Sequence, residues 1–273
     1  MDETTVESWE ACLAKIKEIE EFRANLFDQK STYISGLLYR GQGNTKWPLN
    51  TTLERYSGED LSVESYYRKA AVTKAQIETL TDKTWNIPTF PEFRKWLAKA
   101  DMFMKEKLPG YEYMIYLRHH GFPSPLLDWT RSPFVAAYFA FNNIPPAADH
   151  VALYVFLEQV GEGKSHEGSK PLISSLGPYV TTHSRHWLQQ SQYSICTIKK
   201  GGDLYYSSHE DVFFEGTPSQ DILWKINIPA QESIKALYDL DKMNINAFSL
   251  FGSEESLMET VALREFHLRK CFP

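Results

Sequence analysis

The stretch Leu37-Leu38-Tyr39-Arg40-Gly41-Gln42-Gly43 ends a short apolar run in an arginine, with two glycines close behind. A guanidinium is a planar fork of N–H donors suited to phosphate or carboxylate. Glycine lets a ligand approach the main chain. Two accounts fit these residues. One is a tight turn in which Arg40 pairs with an Asp or Glu. The other is a pocket for an anion. The pattern is neither Gly-x-Gly-x-x-Gly nor a P-loop, because no Gly-Lys-Ser/Thr follows.

Two further stretches set polar residues among apolar ones. His119-His120-Gly121-Phe122-Pro123-Ser124-Pro125-Leu126-Leu127-Asp128-Trp129-Thr130 places Ser124, Asp128 and Thr130 in a segment that reads as buried. Buried polar groups need partners. Asp128 could fix Arg40, cap the next helix or hold a ribose. Two adjacent histidines are not spaced as zinc ligands on one helix face, so no metal is expected. The third stretch is His183-Ser184-Arg185-His186-Trp187-Leu188-Gln189-Gln190-Ser191-Gln192-Tyr193. It reads as a polar turn before an edge strand, or as a hydrogen-bonding platform in a cleft. There is no Gly-x-Ser-x-Gly elbow, no His-Glu-x-x-His and no Cys-x-x-Cys. Cys196 reads as a small buried apolar residue.

The elements that must position these groups follow from periodicity. Val6, Trp9, Leu13, Ile16, Ile19, Phe22 and Leu26 recur every three or four residues, which predicts an amphipathic helix over 6–28. A strand at LLYRG and a loop into helix at KWPLNTTLERY come next. Helices are expected over 60–82, 90–107 (with Phe93, Trp96, Leu97 and Phe103) and 110–120. Pro133 suits the first turn of a further helix, with Thr130 or Ser132 as cap. HVALYVFLE (150–158) reads as a buried strand and QVGEGKSHEGSKP as a loop. Strands are expected at 192–198, 203–206 and 221–228, and helices in the C-terminal part. SSHEDVFFEG, with Glu210 and Glu215, reads as an exposed loop. Helices separate the early strands, and the late strands cluster. This predicts one α+β domain over 1–273, with a mixed or antiparallel sheet, flanking helices and a helical insertion at about 55–120. Residues 1–30 would form the N-terminal helix and 196–273 the C-terminal strands and helices.

Composition narrows the class. The 273 residues are 42% hydrophobic and 14% aromatic, enough for a packed core rather than disorder. A net charge of −6 is a poor balance for gripping long nucleic acid through its phosphates. It leaves room for a small anion held by local cations. No apolar run approaches the roughly 20 residues of a membrane helix, and MDETTVESWE does not read as a secretory signal. Cys12, Cys196 and Cys271 are odd in number and scattered, which fits a reducing cytoplasm.

At all three stretches the chain resembles the FRG domain family, named for an aromatic-Arg-Gly near its start. LLYRGQGNTKWPLNTTLER carries Tyr39-Arg40-Gly41, Trp47, Leu49 and Arg55 in the family order. HHGFPSPLLDWTRSP is close to the family's His-x-Gly-x-Pro-Thr-x-Leu-Leu-Asp-Trp-Thr-x-x-Pro, with Ser124 for Thr and Pro125 for a common Arg. SRHWLQQSQYS follows a third motif, Arg-Ile-x-x-Gln-x-Gly-x-Phe, through Arg185, Gln189, Ser191 and Tyr193, with Ser and Tyr where the family has Gly and Phe. The resemblance spans about 36–195.

The order of these motifs is more distantly similar to mono-ADP-ribosyltransferases. That similarity implies an ADP-ribosyltransferase-like fold and an NAD-using transferase or NAD glycohydrolase, as in a bacterial toxin or phage-defence effector. It would place Arg40, His120 and Gln189 in catalysis. Tyr39, Arg40, Gly41, Gln42, Ser124, Asp128 and Thr130 would bind the nucleotide. Arg40 would hold a phosphate or ribose, and the second motif would wall the nicotinamide. Gln189 would bind the ribose 2′-hydroxyl, with Glu210 or Glu215 as alternative acids, because a neutral Gln positions but does not neutralise a cationic transition state. The acceptor would be a protein or nucleic acid, with no membrane involved. A non-catalytic module sensing NAD or ADP-ribose is the alternative, and a nuclease or nucleic-acid-binding protein the third reading.

Overall fold

The structure is a computed structural model. It describes residues 1–29, 33–58, 61–102, 108–161, 163–166, 170–216 and 219–271, without the side chains at 27–29, 215 and 271. The chain opens with β1 (Asp2–Thr5), α1 (Trp9–Gln29) and β2 (Leu37–Gln42). The helical insertion follows as α2 (Thr52–Ser57), α3 (Val63–Thr81), α4 (Phe90–Leu97) and α5 (Tyr111–His119). Next come β3 (Leu127–Thr130), α6 (Pro133–Phe141), β4 (His150–Gln159), β5 (Leu172–Leu176) and α7 (Ser184–Leu188). The late part runs β6 (Ser191–Lys200), β7 (Asp203–Tyr206), α8 (His209–Glu215) and β8 (Gln220–Pro229), then α9 (Ser233–Lys242), α10 (Ala247–Phe251) and α11 (Glu254–Leu263).

This is an α+β fold around an open sheet ordered β1-β8-β4-β2-β3-β6-β5, with β7 paired to β6. Only the β1–β8 pair is parallel among the described strands. Alternation along the strands feeds separate cores. Tyr39, Val151, Leu153, Val155, Ile226 and Ile228 pack under α1, α6 and α9. Leu38, Trp129, Tyr154, Phe156 and Cys196 pack on the other face with Phe213 of α8. The insertion builds a third core, in which Tyr66, Phe93, Ile115 and Leu117 meet Tyr193, Ile195 and Tyr206.

Local chemistry explains several boundaries. Pro133 opens α6, and Ser132 Oγ accepts from Val135 N (3.3 Å). Ser132 is therefore the cap, while Thr130 Oγ1 accepts from Ser132 N (3.1 Å). The helix expected over 90–107 stops at Leu97. Residues 103–107, Phe103 among them, lie outside the described residues, as does part of the expected loop at 159–171. The third polar stretch is no turn before an edge strand: Ser184–Leu188 is a helix, and β6 is flanked by β3, β5 and β7. SSHEDVFFEG is not a loop either, since His209–Glu215 is helical, capped by Ser208. Cys196 is buried and free, with Sγ against Ser208 O (3.2 Å).

The glycines behind Arg40 have a packing cause. A Cβ on Gly41 would lie 1.9 Å from Ala136 O and 2.6 Å from Ala140 N. A Cβ on Gly43 would lie 2.3 Å from Asn143 O. Helix α6 thus rests backbone-to-backbone on the end of β2. Neighbouring strands and helices cannot absorb such overlaps without moving α6. Gly41→Ala is expected to cost at least about 2 kcal/mol of stability, read as a lower urea midpoint. Unchanged stability with lost ligand affinity would instead assign Gly41 to close ligand approach.

Candidate functional site

β2 and β3 share one paired position, Tyr39 with Thr130. Beyond it they part, and a cleft of about 640 Å³ opens over the gap. The end of β2 contributes Arg40, Gly41 and Gln42, and β3 contributes Asp128 and Thr130. Arg118 and His119 come from the C-terminal turn of α5, and Trp47 and Arg55 from the loop and helix after β2. The third stretch supplies Arg185, Gln189 and Ser191, with Phe139 and Phe251 as apolar wall. Three stretches far apart in sequence meet in one place.

Charge is concentrated here. The lining holds four guanidiniums (Arg40, Arg55, Arg118, Arg185) against one carboxylate (Asp128), in a chain whose net charge is −6. Arg40 is held by a carbonyl, its Nη1 donating to Asp128 O (2.8 Å). Burial lowers its pKa to about 10, with the neighbouring Arg118 and Arg55 acting in the same direction and Asp128 against it. The Asp128 carboxylate instead accepts from Arg118 Nη2. Arg55 donates to Asn50 O (2.8 Å), and burial lowers its pKa. The Arg185 guanidinium lies 5.4 Å from the Phe251 ring centroid.

The cleft is also where hydrogen-bonding capacity is left over. Among the described residues, twelve buried side-chain polar atoms have no partner. Five of them belong to cleft residues: Arg40 Nε, Gln42 Oε1, Arg118 Nε, Asp128 Oδ1 and Arg185 Nε. Each such atom carries a desolvation cost of about 1–3 kcal/mol unless something satisfies it. Their clustering leaves unused donors and acceptors concentrated at this one cleft. Volume, aromatic walls and a few convergent polar groups are the usual properties of a small-molecule pocket.

The sequence-derived candidates divide. Arg40, Gly41, Gln42, Asp128, Thr130 and Gln189 all line the cleft. Tyr39 borders it, while its hydroxyl donates to Glu20 on α1 (3.0 Å). Thr130 Oγ1 donates to Gln189 O (2.8 Å), and Gln189 Nε2 donates to Leu250 O (3.2 Å). The carbonyl oxygen of the Gln189 amide is thus the group left for a ligand. Ser124 is not a lining residue. It is fully buried, and its Oγ accepts from Leu126 N (3.2 Å). His120 is exposed and lies tilted against Tyr116, 4.3 Å between ring centroids, outside the cleft. Glu210 accepts from Leu49 N (2.9 Å) and also lies outside the lining. The Glu215 side chain lies outside the described residues.

Reading the sequence missed His119, Arg118, Phe139 and Phe251. His119 was findable, because the spacing His-x-Gly-x-Pro puts its histidine at 119. Arg118 and the phenylalanines carry no local signal, since their place depends on how α5, α6 and α10 pack. No group of three or more His, Cys, Asp or Glu side chains that could hold a metal ion occurs among the described residues. No described helix is long and apolar enough to cross a membrane.

Residues 35–149 match the family model of the FRG domain. The match covers the first two motifs and ends before the third. No curated protein and no solved structure matches the chain.

Two histidines near the cleft make stability pH-dependent. Burial lowers the His119 pKa to about 4 and that of His209, close to the Arg40 charge, to about 3. Both are neutral in the fold at pH 7 and bind protons more weakly than in the unfolded chain. Their stabilising contribution is therefore complete above about pH 6.5 and is lost as pH falls toward 4. The expected slope is about 1.4 kcal/mol per pH unit for each histidine. Urea midpoints at pH 7.5 and 5 should show it, and His209→Asn should make the dependence shallower than in the unsubstituted protein.

Proposed function

With residues 35–149 an FRG domain, we propose that the cleft binds a dinucleotide of the NAD class and that the protein breaks the nicotinamide–ribose bond, passing ADP-ribose to an acceptor or to water. The observation that carries this reading is the cluster of unsatisfied buried polar atoms among four guanidiniums. A pyrophosphate offers acceptors to the unpartnered Nε groups of Arg40 and Arg118, with the Arg55 guanidinium in the same lining. The ribose hydroxyls suit Asp128 Oδ1, Gln42 Oε1 and the Gln189 carbonyl. Trp47, Phe139 and Phe251 provide faces for planar rings.

In the proposed reaction the C1′–N bond breaks and its electron pair leaves with neutral nicotinamide. Positive charge develops at C1′ and the ring oxygen. The acceptor's oxygen or nitrogen forms the new bond to C1′ and loses its proton. A carboxylate near C1′ stabilises this charge, and Asp128 is the carboxylate that lines the cleft. Arg118 already offsets its charge, and Gln189 contributes an amide. These two observations favour a second reading, in which the site binds the nucleotide as a sensor and releases nothing.

Calorimetric titration with NAD, followed by chromatography of the mixture for free nicotinamide, separates the readings. Binding with slow release is the expected result. Binding without release selects the sensor, and no binding overturns both. Arg185→Ala is expected to weaken NAD binding about 10- to 100-fold with little change in melting temperature, because its Nε has no partner among the described residues and its contact with the fold is the Phe251 ring. Arg40→Ala should lose as much affinity and also stability, because it breaks the bond to Asp128 O.

A further inference from the structure

His119 lines the cleft but has no part in the reading above, and a chain of hydrogen bonds behind it dictates its protonation. The chain begins at Pro178 O, a pure acceptor, 2.8 Å from His186 Nε2. His186 must therefore carry its proton on Nε2. It is buried and burial lowers its pKa, so it is neutral and its Nδ1 is a lone pair. That lone pair faces Tyr193 Oη at 3.3 Å, and the tyrosine donates to it. The phenol, itself fully buried, then has only an oxygen lone pair to offer His119 Nε2 at 2.8 Å. His119 must donate from Nε2. Each step follows from what an imidazole and a phenol can donate or accept.

The consequence is at the other nitrogen. Nδ1 of His119 has no hydrogen bond to the described protein and is not among the buried unsatisfied atoms, so it is open to the cleft that His119 lines. The groups around the ring are Arg118 on its own helix, Asp128 on β3, Tyr193 on β6, and His183 and His186 at α7. Burial outweighs Asp128, and the ring is neutral at pH 7.

We propose that His119 presents Nδ1 to the cleft as a fixed hydrogen-bond acceptor for a ribose hydroxyl of the bound nucleotide, with Tyr193 and His186 as the positioning residues that set this tautomer. The ligand half of the proposal rests on the nucleotide reading; the tautomer does not. The device suits a site crowded with guanidiniums. Four arginines offer donors only, and a sugar hydroxyl needs an acceptor that does not compete for them as a carboxylate would.

The test is a long-range proton–nitrogen spectrum of protein labelled with ¹⁵N-histidine, at pH 7, with ADP-ribose and with inorganic pyrophosphate. Without ligand, His119 is expected to be neutral and protonated on Nε2. ADP-ribose should shift the bare Nδ1 in the direction of an accepted hydrogen bond, and pyrophosphate, which carries no hydroxyl, should leave it in place. Tyr193→Phe should mix the two tautomers, whereas a merely structural Tyr193 would leave the His119 signals of the folded protein unchanged. His119→Phe should weaken ADP-ribose binding about three- to tenfold and spare pyrophosphate. A proton on Nδ1 in the free protein overturns the proposal. So does ADP-ribose that binds by calorimetry without moving Nδ1. If ADP-ribose fails to bind, the nucleotide reading and the ribose assignment fall together, while the ligand-free spectrum decides the tautomer.

Discussion

The hydrogen bond from Arg40 Nη1 to the carbonyl of Asp128 holds the site together. β2 and β3 are neighbours in the sheet but share a single paired position. Where their ladder fails, the arginine side chain spans the gap. Because Arg40 takes the carbonyl, the Asp128 carboxylate remains for Arg118. One residue of β3 is thereby tied through its main chain to β2 and through its side chain to the helical insertion. The cleft exists because the strands separate, and it keeps its shape because these two bonds limit the separation.

Its chemistry follows from the same arrangement. A guanidinium bonded to a carbonyl retains its full charge, whereas one paired with a carboxylate would be largely neutralised. Apolar residues beside and behind Arg40 reduce the local dielectric and strengthen the field at the cleft floor. An acidic protein can thus carry a cationic pocket for a small anion while its surface as a whole repels long polyanions. On the proposed function, the amide at Gln189 and the ion-paired Asp128 are the groups that would decide between transfer and recognition.

Much of this was legible in the sequence, and the failures have physical reasons. The run LLYRGQG declared a strand ending in a cation, and HHGFPSPLLDWTRSPF declared a turn, a buried polar segment and a capped helix. Those signals are local, carried by apolar patterning, Pro133 and Ser132. The reason for Gly41 was not legible, because the atoms that exclude a side chain are on Ala136 and Ala140 of α6. The same holds for β1, whose polar DETT becomes a strand only against β8, more than 200 residues away. Helix α7 is one short turn and too brief to show a period. The motifs named Arg40, Asp128, Thr130 and Gln189, which line the cleft, and His120, where the lining histidine is His119. Only packing shows that His119 turns to Tyr193 and the cleft while His120 lies outside on Tyr116.

The most direct test of the central claim is a crystal structure of the protein with ADP-ribose. The pyrophosphate is expected between Arg40, Arg55 and Arg118, with a ribose against Gln189 and the strands still pinned by Arg40 on Asp128 O. ADP-ribose bound elsewhere, or a cleft in which Arg40 turns away from Asp128 to a carboxylate, would contradict the account.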